Sequence, residues 1–211
     1  IKLKLYQNQL KFATKMLVVS QTDRDYLARH FPSKEVVYLP SFHGNSVVKS
    51  QPGKGGYVLY LGNLSVGENA LAAEYLVKEV FNNLQVPLKI AGLNPSESLR
   101  SLVARFKNIE LIPNPPQAEM ESLIKNAQIN ILVTFQATGL KLKLLNTLYN
   151  GRWMLVNREM LAGTGLESLC EIAADTVEMK KKVIELFNTE FDHNQLLARS
   201  ELLQKRFSDE A

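Results

Sequence analysis

The sequence predicts an α/β fold on a doubly wound parallel sheet of about six strands, and three observations carry that expectation. From Gly56 onward, strand-sized apolar runs alternate with segments of helical period. The runs are continuously apolar, as strands buried on both faces require. Each is followed by enough chain for a crossover helix, the connection that parallel neighbours need. The arrangement expected is Rossmann-like.

The elements follow in order. YVLYLG (57–62) reads as the first strand of this region. A helix over about 68–82 comes next, with Ala73, Leu76, Val77, Val80 and Phe81 as its apolar stripe. Strand LKIAGL (88–93) precedes a helix capped at Ser96. Strand IELIPN (109–114) precedes PPQAEMESLIKNA, where Pro116 suits the first helical turn. Strand INILVTF (129–135) leads to the helical GLKLKLLNTLYNG, with Gly151 as its stop. WMLVN (153–157) and CEIAA (170–174) are the last two strands. Asp175 and Glu178 then open a helix in capping-box spacing.

Upstream the pattern is helix, strand, helix, strand. LYQNQLKFA, MLVVS, SQTDRDYLARHF and VVYLP supply these, with Ser20 as an N-cap and Asp23 in the first turn. So small a set buries too little surface to complete a core. Residues 1–44 are therefore expected to be the tail of an incomplete domain. They are expected to rest on the linker, a neighbouring chain or the helix near 192–207. The Gly- and Pro-rich stretch 45–56 reads as that linker, 57–190 as the main domain and 191–211 as a C-terminal helix.

Composition bounds the function classes. A chain of 211 residues with 45% hydrophobic and 22% charged residues is that of a soluble globular protein. Its apolar runs fall far short of a membrane span. The opening IKLKLYQNQLKF has lysines and no apolar core of a signal peptide. The single Cys170 excludes an internal disulfide and reads as a buried, inert thiol. The expected location is cytoplasmic. A net charge of +4 suits anionic partners such as nucleotide phosphates or acidic lipids. The run Lys180 to Lys182 reads as a solvated helix face, and no nucleic-acid partner is expected. GxGxxG, GxxxxGK[ST] and HExxH are all absent, which disfavours dehydrogenases and P-loop enzymes. His30, His43 and His193 lack metal-ligand spacing, so no metal and no cofactor are expected.

Ligands of such sheets bind at the carboxyl ends of the strands. That rule selects four loops: 62–69, 92–96, 113–117 and 135–140. In FQATGLKLKLLNTLYNG, Thr138 and Gly139 stand where a strand hands over to a helix, whose free N–H groups suit an anion. At 3.6 residues per turn, Gly139, Lys143, Asn146 and Asn150 share one face, which is either a ligand face or a solvated one. Leu144, Leu145 and Leu148 lie away from it as core, and Lys141 lies elsewhere. The segment GNLSVGEN offers a close ligand approach or a tight turn.

These segments together resemble a known family. GYVLYLGNLSVGENALAAEYLVKEVFNNL, IAGLNP, IELIPNPPQAEMESLIKNAQINILVTF, TGLKLKLLNTLYNG, WMLVN and GTGLESL resemble, in order and spacing, the C-terminal domain of retaining GT-B glycosyltransferases. VVSQTDRDYL and VVYLP resemble the last units of that family's N-terminal domain. The resemblance implies a nucleotide-sugar donor as substrate and a hexosyl-type transfer. Phosphates would lie near Gly62, Asn63, Asn69 and the Thr138–Gly139–Leu140 helix start, and the base near Pro113 and Asn114. Lys143 would neutralise the departing diphosphate, and Asn146 would meet the ribose. The acceptor is a sugar, lipid or protein, and the missing N-terminal domain allows peripheral contact with the inner face of a membrane. The catalytic residues are unknown, and the fragment alone is expected to be inactive. Many members carry two glutamates on this segment where Thr138 and Asn146 stand, and an arginine and a lysine where Asn63 and Glu68 stand. These departures leave a second reading open: a degenerate GT-B module that binds a nucleotide or a partner without transferring sugar.

Overall fold

The computed structural model describes residues 8–39, 43–136 and 141–207. The chain divides into two compact units, residues 1–42 and 43–211. In the first unit, β1 (Lys15–Val18) and β2 (Glu35–Tyr38) pair in parallel through the crossover helix α1 (Gln21–His30). Ser20 caps α1, its Oγ accepting from the Asp23 amide at 3.0 Å.

The second unit carries the six-stranded parallel sheet that the sequence predicts. Its strands are β3 (Val58–Asn63), β4 (Leu88–Leu93), β5 (Ile109–Pro113), β6 (Ile129–Leu132), β7 (Trp153–Asn157) and β8 (Glu171–Ala173). Their spatial order is β5-β4-β3-β6-β7-β8, with every pairing parallel. Successive residues of β3 serve opposite faces, Val58 and Tyr60 one core cluster and Leu59 and Leu61 the other.

The helices that cover the two faces follow from the apolar stripes. On the first face lie α2 (Gly67–Tyr75), α3 (Glu97–Val103) and α6 (Thr176–Asn188), supplying Ala73, Leu99 and Val183. On the second lie α4 (Gln117–Asn126), α5 (Leu142–Asn150) and α7 (His193–Phe207), supplying Ile124, Leu144, Leu148 and Leu203. The predicted helix 68–82 is not uniform. After Tyr75 it widens into a π-helical turn, Leu76–Val80, where the Phe81 amide reaches the Leu76 carbonyl at 2.8 Å. The wider turn buries Leu76, Val77 and Val80 together against the sheet.

The caps obey the local rules. Ser96 accepts from the Leu99 amide at 3.2 Å, and Asp175 from the Glu178 amide at 2.9 Å. Ser96→Ala should therefore cost about 1 kcal/mol in urea unfolding, the usual value of a cap. Pro116 is the residue before α4 rather than its first turn. Gly151 ends α5 as expected, but not through a left-handed turn: its φ is −100°. A Cβ there would stand 2.2 Å from Asn130 Nδ2, so close approach to β6 demands glycine.

The stretch 45–56, read from composition as a linker, is seated within the second unit. Ser50 Oγ donates to the Gly151 carbonyl at 2.6 Å, Gly53 bridges Phe191, and the Gly55 amide donates to Gln128 Oε1 at 2.6 Å. Helix α7 likewise buries Arg199 and Leu203. The polar side chains Gln128 and Arg199, placed inside the unit, satisfy this stretch's neighbours, which is why a turn-rich composition coexists with fixed structure. Cys170 is partly buried, and burial pushes its thiol up to about 12. It should react with a disulfide reagent far more slowly in the folded chain than after unfolding in urea.

Candidate functional site

The topological switch of the sheet lies between β3 and β6, because the chain leaves β3 toward β4 on one side and returns to β6 on the other. These two strands pair over only Val58↔Ile129 and Leu59↔Asn130. β3 continues to Asn63 while β6 ends at Leu132, so the two strands part at their carboxyl ends, where sheets of this topology place their ligand crevice.

Three residues singled out in the sequence form one row across its rim. Gly62 pairs with Gly92, and Gly92 with Pro113. A Cβ on Gly92 would stand 1.9 Å from the Gly62 carbonyl oxygen, so only glycine permits this approach. Beyond the row, Asn94 and Asn114 adopt left-handed φ values of 49° and 52°. Asn114 Oδ1 accepts from the Asn94 amide at 2.8 Å, which fixes the two loops to each other. The side-chain oxygen of Asn114 is thus committed to the rim.

Asn63 builds its own turn: Oδ1 accepts from the amide and hydroxyl of Ser65 at 3.1 and 2.7 Å. Asn69 is the hub. Its Nδ2 donates to the Asn63 carbonyl at 2.9 Å, and its Oδ1 accepts from Lys143 Nζ at 2.8 Å. Lys143 therefore crosses from the first turn of α5 to the first turn of α2, 6.0 Å from the centre of the Tyr60 ring. Burial holds its ammonium below the usual lysine range, Glu68 opposes that, and Lys141 adds to it.

The sequence placed Lys141 on another face of the same helix. The structure corrects this. α5 starts only at Leu142, and Lys141 precedes it with φ −98° and ψ 41°. Helical angles therefore do not govern its direction. Its Nζ donates to the Gln136 carbonyl at 3.4 Å; its charge is felt by Lys143, and the charge of Glu68 acts on it.

Asn146 lies one turn further along and joins a different cluster. Its Oδ1 accepts from Asn45 at 3.4 Å and from Asn150 at 3.1 Å. Asn45 in turn contacts His43, whose Nε2 meets the Phe207 carbonyl at 2.6 Å. The expected single face of α5 thus divides between Lys143 at the crevice and the Asn146–Asn150 pair. Thr138, Gly139 and Leu140 lie outside the described residues.

Sequence reading named Glu68 only as a departure from the family pattern, and it missed Thr134, Asn157 and Tyr60. Glu68, in the first turn of α2, accepts a hydrogen bond from Thr134 Oγ1. Asn157 at the end of β7 holds Thr134 by two bonds, its Nδ2 donating to the Thr134 carbonyl at 2.6 Å and its Oδ1 accepting from the Thr134 amide at 3.1 Å. Tyr60 donates to the Asn69 carbonyl at 3.0 Å, and burial raises its phenol. The signal for Glu68 was its place at the second position of a helix. Thr134 was hidden inside an apolar run.

Among the described residues, no three His, Cys, Asp or Glu side chains gather as a metal site would require, and no helix is long and apolar enough to cross a membrane.

Known structures share this architecture. A glycosyltransferase from Rickettsia africae ESF-5 aligns over 98% of this chain and 63% of its own, with a TM-score of 0.69 at 12% identity. A point mutant of S. aureus TarM, solved with fondaparinux, α-GlcNAc-glycerol and UDP, aligns over 93% and 42%, with a TM-score of 0.68 at 13% identity. A UDP-forming α,α-trehalose-phosphate synthase from Burkholderia xenovorans, in complex with glucose-6-phosphate, aligns over 92% and 57%, with a TM-score of 0.65 at 9% identity. No family model and no curated protein matches the sequence. The fold is that of the GT-B glycosyltransferases. The chain spans between 41% and 63% of the length of seven such structures, these three among them.

Proposed function

We propose that this chain is the nucleotide-sugar-binding part of a glycosyltransferase that passes a hexosyl-type unit to a sugar, lipid or protein acceptor. The observation that carries the reading is Lys143, partly buried at the topological switch and held on Asn69 beside the Gly62 turn. A partly desolvated ammonium at this place attracts phosphate more strongly than a solvated one. Gly62 and Pro113, at the ends of the row, are only partly covered and could receive a flat base or ribose, while Gly92 between them is buried; Asn63 and Asn69 border the phosphate end. TarM was solved with UDP and the trehalose-phosphate synthase is UDP-forming, so uridine is the first base to try.

Catalysis needs donor and acceptor held together. The 211 residues by themselves are therefore expected to bind donor without transferring sugar, in a cytoplasmic setting that includes the inner membrane face. Calorimetric titration with UDP, GDP and ADP tests this, with saturable binding of one of them expected. Chemical-shift changes should fall on 62–69, 92–94, 113–117 and 143–146. Binding of none, or shifts centred elsewhere, would refute the reading.

A second reading has its own support. Asn63 spends its side chain on its own turn, and Glu68 brings a carboxylate to the crevice. Both fit a module that binds a nucleotide or a partner and transfers nothing. Sugar transfer by the intact protein separates the two.

A further inference from the structure

Glu68 stands at the β3/β6 crevice with a charge opposed to that of the lysines. It is partly buried in the first turn of α2, where the partial positive charge of the helix end favours a carboxylate. Thr134 Oγ1 donates to it, and Asn157 fixes Thr134 from β7. Its negative charge acts on Lys141, Lys143 and Tyr60 alike. A helix N-terminus, a hydroxyl donor and two ammonium groups are what a phosphate would recruit; here the hydroxyl is already bonded to the carboxylate, and both ammonium groups lie in its field.

We infer that Glu68 is the resident counter-anion of the crevice and weights it toward a doubly esterified diphosphate over a free nucleoside diphosphate. The inference rests on the nucleotide-sugar reading above and deepens it. A nucleotide sugar has both ends of its diphosphate esterified, whereas the released nucleoside diphosphate gains a terminal phosphate oxygen that ionises near neutral pH. The repulsion from Glu68 grows with that added charge. The carboxylate therefore opposes the product more than the donor, and favours release after transfer.

The test is calorimetry of UDP and UDP-glucose against the unmutated chain, Glu68→Gln, Lys143→Ala and Glu74→Gln. Glutamine keeps an acceptor for Thr134 and removes only the charge. Glu74, paired with Lys78 at 2.7 Å on the same helix, controls for general charge. Glu68→Gln should tighten UDP about tenfold and UDP-glucose about threefold, with the gain shrinking as salt rises. An unchanged or weaker UDP affinity, an equal gain for both ligands, or an equal gain in Glu74→Gln would overturn the inference. In those cases, binding that still depends on Lys143 leaves the nucleotide reading standing. Binding of neither ligand to any variant would overturn both. A ligand-free measurement stands beside it: in a carbon-13 lysine NMR titration, Glu68→Gln should lower the Lys143 titration point. An unmoved Lys143 would show that Glu68 does not act on the site.

Discussion

Replacing Arg199 by alanine is expected to destabilise the 43–211 unit by about 4 kcal/mol, since it removes a buried charge network at a helix end. Arg199 lies in α7 and is 3% exposed. Its Nη1 donates to Ser50 Oγ at 3.0 Å and to the Gly151 carbonyl at 2.5 Å, and its Nη2 to the Arg152 carbonyl at 2.7 Å. The guanidinium also lies 4.6 Å over the Phe191 ring. Burial lowers it to about 10, which leaves it charged at neutral pH. These hydrogen-bond acceptors are all neutral, and two of them are carbonyls just past the end of α5, where the helix presents its partial negative charge. Alanine would leave the Arg152 carbonyl without this donor and open a cavity beside Trp153 and Phe191. Arg199→Lys should recover less than half of the loss, because one ammonium cannot reproduce the planar fork. Urea unfolding followed by tryptophan fluorescence reads both. A loss under about 1 kcal/mol for alanine would mean that water serves the carbonyls equally well.

That network also shows where sequence legibility ends. The buried strands were plain because parallel strands covered on both faces must be apolar throughout, and LKIAGL and WMLVN match β4 and β7 residue for residue. Ser20, Ser96 and Asp175 were plain because capping is a contact between residues three apart. What depends on distant partners was not. The stretch 45–56 has the composition of a linker, yet Gln128 and Arg199, remote in sequence, hold it in place. Thr134 looks like one more β-branched strand residue until Glu68 is seen across the crevice. The direction of Lys141 was misread because the angle between two residues on a helix means nothing if one precedes the helix. Lys143 drew attention because its signal was local: a lysine in the first turn of a helix that follows a strand end.

Lys143→Ala is expected to weaken nucleoside-diphosphate binding by about 2 kcal/mol, within the range for a hydrogen bond to a charged group. Lys143 is partly buried, so its charge is less screened than that of a surface lysine. Its ammonium rests on Asn69 Oδ1 at 2.8 Å, from which a phosphate oxygen would draw it. Asn69→Ala should therefore cost less than Lys143→Ala, because it removes the tether and keeps the charge. Lys141→Ala should also weaken binding, by about half as much, since Lys141 shares the field of Glu68 and Lys143 but lies outside the helix. The pH dependence follows from the same geometry. Burial holds Lys143 below the usual 10.5, so it loses its proton earlier than an ordinary lysine as pH rises. An anion binds the protonated form better, so affinity should fall through that lowered range, and binding there should take up a proton. Lys143→Ala should flatten that part of the profile. Calorimetry in two buffers of different ionisation enthalpy measures the proton directly. Equal losses for Lys141→Ala and Lys143→Ala, with no proton uptake in the unmutated chain, would show that general positive charge draws the ligand rather than this site.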